Sequence, residues 1–217
     1  MANNFKNAVK RNISADSTLP TEIYKAPDSK KAIAIEIDVA NKSSAGVTVT
    51  VQLEDESANL AGTTAQNVNA VATNTTGTLT TVAAHGLVVN DRIVFTNGTD
   101  PSFTNASLPA SGDAALSETR MYYVKSIPST STFTIAETKD GTLLSFDTTG
   151  AGVTFAKVHL ADIVKDAPVP VGGSLKVISG QKLVIESAHA NVNDKLYVYT
   201  SAANAVDAIG SVLQEVS

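Results

Sequence analysis

Few side chains in this sequence are of types that do chemistry. There are three histidines, His85, His159 and His189, and no cysteine. The lack of thiols excludes disulfides, thiolate metal sites and cysteine nucleophiles. A catalytic or metal-binding histidine needs partners at a fixed spacing. No His-x-His or His-Glu-x-x-His pattern occurs, and no Gly-x-Ser-x-Gly elbow accompanies the histidines. His85 stands in Ala83-Ala84-His85-Gly86-Leu87. With no second member for a catalytic site, it reads as a histidine that shapes a turn and bonds backbone.

The acids read in a similar way. Asp91, Asp100, Asp113, Asp140 and Asp147 fall in the middle of the chain. Acidic loops hold calcium when they carry the Asp-x-Asp-x-Asp-Gly spacing, which is missing here. Each of these acids has Asn, Gly or Pro close by, where Asp commonly fixes a turn. Gly150-Ala151-Gly152 and Gly172-Gly173 lack the rest of a phosphate-binding loop and read as turn glycines. No catalytic, cofactor-binding or metal-ligating residue is therefore assigned, and no cofactor is expected. Lys6, Lys10 and Arg11 cluster near the start, with Lys25, Lys30 and Lys31 following. They fit an arm that docks on an acidic partner, or equally a solvated tail. Tyr122-Tyr123 and Tyr197-x-Tyr199 fit ordinary sheet packing, with one ring of a pair free to face an interface.

The elements that must position these residues are strands. Residues 32–40 alternate Ile33, Ile35, Ile37 and Val39 with Ala34, Glu36 and Asp38. A period of two sends the two sets to opposite faces of a sheet. Residues 47–53 repeat the alternation, and the linking residues 41–46 have turn chemistry. The pair predicts a β-hairpin of half-buried strands. Further strands are expected at 155–164, 174–178, 182–187 and 194–200, with a break at 168–173. Residues 205–216 fit a strand better than a helix, because Gly210 weakens a helix.

Residues 62–152 differ in character. They open with a Thr- and Asn-rich stretch at 63–76 and hold a long Gly-, Pro- and Ser-containing loop at 97–118. Strands are expected at 78–82, 92–96, 121–127, 132–138 and 143–147. With this middle excised, residues 1–61 and 153–217 read as one small β domain, with the middle as an inserted module. Insertions are tolerated at exposed hairpin tips. The predicted class is all-β: an antiparallel β-sandwich-like domain carrying an inserted small β-barrel or sheet.

Composition narrows the function. The 217 residues hold 30 Ala and 25 Thr, only 17% charged residues and a net charge of −5. A general nucleic-acid binder needs a basic face, so that class is disfavoured. No apolar run approaches the roughly 20 residues of a membrane span. The basic N-terminus lacks the apolar core of a secretory signal, which predicts assembly in the cytoplasm.

Two stretches carry a family resemblance. The outer segments contain Phe5-Lys6-Asn7-Ala8, Ile23-Tyr24-Lys25-Ala26-Pro27, Ile35-Glu36-Ile37-Asp38-Val39-Ala40-Asn41 and Val164-Lys165-Asp166-Ala167-Pro168-Val169. They close with Asp194-Lys195-Leu196 and Ala208-Ile209-Gly210-Ser211-Val212-Leu213. Together these resemble small virion structural proteins of tailed bacteriophages, including those of marine cyanobacterial phages. The middle segment, with His85-Gly86-Leu87 followed by Asn90-Asp91-Arg92, resembles a β module recurrent in phage tail and fibre proteins. That module commonly has Gly where Asn90 stands here, and Asn also tolerates left-handed backbone.

The resemblance implies a non-enzymatic particle component, assembling on the head, neck or tail and forming a homo-oligomer. Its partners would be other virion proteins, not nucleic acid or membrane. A receptor- or glycan-binding tail module is the alternative, although the absence of Trp weakens a sugar-stacking platform. A virion-bound hydrolase is disfavoured, since no pair of catalytic carboxylates stands in a recognisable setting.

Overall fold

The computed structural model describes residues 4–55, 66–70, 77–96, 120–145, 153–189 and 192–214. All regular structure among them is antiparallel β. The chain divides into two units, Met1–Ala58 with His159–Ser217, and Asn59–Val158.

The first unit is a sandwich of two sheets. One has the order β1 (Asn4–Lys10), β16 (Val206–Gln214), β3 (Lys31–Asn41), β13 (Leu183–His189), β14 (Val192–Asn193). A further strand, β12 (Ser174–Ile178), shares β3 with β13: it pairs with residues 37–40 and β13 with residues 31–34. The other sheet has the order β11 (Leu160–Val169), β4 (Val47–Glu54), β15 (Lys195–Thr200), β2 (Thr21–Lys25). The core between them is almost wholly aliphatic. Ile37 and Val39 of β3 and Val49, Val51 and Val198 of the other sheet are fully buried.

The predicted hairpin of β3 and β4 does not form, because the two strands lie in different sheets. Residues 41–46 make an arch from one sheet to the other, and Asn41 holds it. Its amide nitrogen donates to the Ala45 and Val169 carbonyls at 2.8 and 3.1 Å, and its Oδ1 accepts from the Ser43 N–H at 2.9 Å. Two consecutive alternating strands can bury their apolar faces side by side or against each other, and here they face each other. The polar face of β4 is covered as well. Gln52 donates to Asp162 at 2.6 Å, and the buried Glu54 carboxylate pairs with Lys195 at 3.1 Å.

The second unit is a closed six-stranded barrel. Around it run β10 (Val153–Val158), β5 (Gln66–Ala70), β6 (Leu79–Thr81), β9 (Thr132–Ala136), β8 (Tyr122–Ser129) and β7 (Arg92–Thr96), which returns to β10. So small a barrel fills its interior with side chains. Here many of them are aromatic: Phe133 packs on Phe155 at 5.1 Å and Phe95 on Tyr122 at 5.6 Å, centroid to centroid.

Three further expectations need correction. The strand expected at 155–164 breaks at His159, so β10 closes the barrel while β11 joins the sandwich. Residues 153–158 therefore belong to the inserted unit rather than the outer one. Of the strand expected at 143–147, the described residues 143–145 form only a bridge, Ala136 to Leu143. The barrel takes β5 instead from the Thr- and Asn-rich stretch, where a strand was not expected. Pro168 lies inside β11, on an outer strand, where its missing N–H leaves no ladder bond unmade. The loop at 97–118, with Asp100 and Asp113, lies outside the described residues, as do Asp147, Gly150 and Gly152.

Candidate functional site

His85 organises one corner of the barrel. It is buried in the segment between β6 and β7. Its Nδ1 accepts the Leu87 backbone N–H at 3.0 Å. Its Nε2 faces the carbonyl oxygens of Ser129 and Thr132 at 3.2 and 3.3 Å. Carbonyls only accept, so the proton sits on Nε2 and the ring is the neutral Nε2–H tautomer. The backbone N–H of His85 donates to Thr130 at 3.0 Å. The ring stands edge-on to Phe133, 5.3 Å away. Together these contacts pin residues 82–87 to the β8–β9 turn.

Each residue of the His-Gly-Leu triplet then has a physical task. His85 is the staple. Gly86 adopts φ +64°, a left-handed conformation costly for a residue with a Cβ. Leu87 returns into the barrel core.

The next turn follows directly. The Asp91 N–H donates to the Val88 carbonyl at 3.0 Å, and Asp91 Oδ2 accepts the Val88 N–H at 2.8 Å. Asn90 takes φ +72°, so the left-handed turn position survives the exchange of Gly for Asn. Asp91 Oδ1 pairs with Lys157 of β10 at 2.9 Å, which ties the turn to the strand next to β7. Both ring nitrogens of His85 and both carboxylate oxygens of Asp91 are thus engaged in holding the barrel together.

The other singled-out residues are dispersed. His159 lies between β10 and β11, where its carbonyl accepts the Asp55 N–H at 3.0 Å, and His189 ends β13. Asp140 is a turn residue at φ +64°. Gly172 takes φ +64° in a turn closed by the Gly173 N–H on the Pro170 carbonyl at 2.9 Å. Lys31 pairs with Glu186 at 2.9 Å. No group of three His, Asp or Glu side chains suited to a metal ion occurs among the described residues. Tyr122 and Tyr123 are both buried, so neither ring of that pair is free for an interface. Arg92 sits opposite Tyr123 in the β7–β8 register, covers its ring at 5.2 Å and donates Nε–H to its hydroxyl at 3.1 Å.

The features that face outward lie elsewhere. In the barrel unit, Val82 is exposed on the segment that His85 pins, and Val88 and Val89 on the turn that follows it. In the sandwich, β1 pairs with β16 along one edge, and Phe5 and Val9 remain exposed. Residues 4–10 read at first as a basic arm or tail. Their alternation, Phe5-Asn7-Val9 against Lys6-Ala8-Lys10, is the signal of a strand. Near the end of that strand, Asp207 is held below the usual carboxylate range chiefly by its hydrogen bond from Lys42, against the opposing desolvation of burial, with the Asn12 N–H adding to the lowering. Family models, curated proteins and solved structures were all compared with the chain, and none matches it.

Proposed function

We propose that this chain is a non-enzymatic structural component of a tailed-phage virion, an accessory protein assembling on the head, neck or tail. The observation that carries this reading is how the two resembling stretches partition. The outer segments, separated by a hundred residues, form one sandwich, and the His85–Asp91 segment forms the corner of a separate barrel. This is the organisation expected of a docking domain with an outward module inserted into it. The buried polar groups of the barrel corner are spent on backbone, which suits a part made to persist rather than to turn over.

A receptor-binding role for the barrel is the second reading. The exposed Val82, Val88 and Val89, on the segment that His85 pins and the turn after it, favour it, since exposed apolar side chains on a loop suit a protein partner.

The test is proteomic analysis of gradient-purified particles from the phage that encodes the chain. The proposal expects the protein to co-purify at a fixed copy number. Its absence from intact particles overturns the proposal. Loss of cell attachment, but not of particle integrity, after deletion of residues 59–158 would support the second reading.

A further inference from the structure

The sandwich leaves four other strands at its margins, and each is irregular. The ladders of β11, β12, β14 and β2 all contain a register shift. β11 adds Pro168 and a left-handed Asp166, and β14 has only two residues. These are the devices by which sheets discourage further pairing. β1 has none of these irregularities, and its one such device is the charge of Lys6 and Lys10, which disfavours a like-charged strand. Seven consecutive pairs join it to β16, from Asn4 with Gln214 to Lys10 with Ala208, without a shift. No described strand pairs with its other edge.

β1 is also largely exposed on both faces. Six of its seven residues are exposed, and only Ala8 packs partly on the sandwich core. Alternation therefore sends Lys6 and Lys10 to the inner side with Ala8, and Phe5, Asn7 and Val9 to the outer side. The outer side continues an apolar row. Phe5 lies opposite Leu213, Leu213 opposite Ile33, and Ile33 opposite Val184, while Val9 lies opposite Ile209. Phe5 is 73% exposed, and Val9, Ile209 and Val184 are each 50% exposed. Residues 4–11 carry three cations and no anion in a chain of net charge −5.

We infer that β1 is a docking edge for an extended acidic strand of a partner protein, added antiparallel or parallel to its free side. The occupant follows from charge and pattern. Its apolar side chains extend the Phe5–Val184 row, and its carboxylates, alternating with them, meet Lys6 and Lys10. A second copy of β1 fits less well, because it would bring its own Lys6 and Lys10 to the same side of the sheet. The inference rests on the proposed assembly role and names the surface that performs it. Backbone pairing supplies affinity and the two side-chain sets supply selectivity, as in other strand additions.

The test uses the full chain, isotope-labelled for NMR, and synthetic octapeptides of alternating Val and Glu, with Val/Lys peptides as the control. The inference expects shifts in residues 4–10 with the Val/Glu peptide and none with the control. N-methylation of the peptide along one edge should abolish binding, and methylation along the other should leave it. The exposed double variant Lys6→Glu/Lys10→Glu should weaken Val/Glu binding about tenfold and reverse the charge preference. Equal binding of both methylated peptides, no shift in residues 4–10, or self-association through β1 would each overturn the inference. Failure here is separable from failure of the assembly role. If the double variant still co-purifies with particles at full copy number, this edge is not the docking surface although the protein is a particle component.

Discussion

The two units answer one problem in opposite ways. A β-sheet must bury one face and dispose of its edges. The barrel disposes of its edges by closing, and fills its small interior with Phe95, Tyr122, Phe133 and Phe155. The sandwich buries an aliphatic core and keeps its margins open. It blunts most of them with register shifts and leaves β1 regular. A closed barrel cannot accept a strand, whereas an open sheet can. Strand addition, where it occurs, would therefore fall on the sandwich rather than on the barrel.

The largest effect is expected from Phe133→Ala. Phe133 is fully buried and touches both His85 and Phe155. Loss of its ring should destabilise the barrel by about 4 kcal/mol, against about 1 kcal/mol for Ile37→Val in the sandwich. Hydrogen exchange read strand by strand checks the comparison: exchange should quicken in β8 and β9 and stay unchanged in β3 and β16. Equal quickening in all four would break it, since the two cores share no residue.

His85→Ala comes next. It strips the partner from the Leu87 N–H and from two carbonyls, and should cost about 2 kcal/mol of barrel stability. Thermal melts of the two variants should show the same transition affected. Asn90→Ala should cost about 1 kcal/mol, because its φ of +72° suits Asn or Gly better than Ala. Asn90→Gly should be close to neutral, and this pair of substitutions sharpens the reading of the turn.

The smallest effect concerns the sandwich margin and pH. The folded state lowers the Asp207 carboxyl from its ordinary 3.8, with the hydrogen bond from Lys42 as the main cause. A depressed carboxylate contributes stability above its unfolded value and loses it as pH falls through the folded one. The wild type should therefore outlast Asp207→Asn above pH about 4, with the margin shrinking below it. The group is near the surface, so the margin is small and should shrink further in high salt. Urea titrations across pH 2–6 measure it.

Most of the strands were legible from alternation alone, and their partners were less so. β3 and β4 read correctly as strands but wrongly as a hairpin, because period two says nothing about which sheet receives a face. Within β3 the expected face also switches at a bulge at residue 35, so that Ala32 and Ala34 are buried with Ile37 and Val39 while Ile33 and Ile35 are only half-buried. β5 was hidden in a polar stretch whose pairing with β6 and β10 supplies what its composition does not. The burial of Tyr123 depended on Arg92, a cross-strand neighbour thirty-one residues earlier in sequence. His85 was the most legible of the candidate residues, since a lone histidine beside Gly and Leu already suggested a turn that bonds backbone. β1 was the least legible, because a regular edge is defined by having no described strand on its other side.

The most direct test of the assembly role is antibody-gold electron microscopy of purified particles, using antibodies raised against the intact chain. The account predicts label at one fixed location on every intact particle: spread over the head for a shell-bound accessory, or confined to the neck or tail for a collar or fibre-attachment component. Label found only in the soluble fraction of the lysate, with clean particles beside it, would contradict the account.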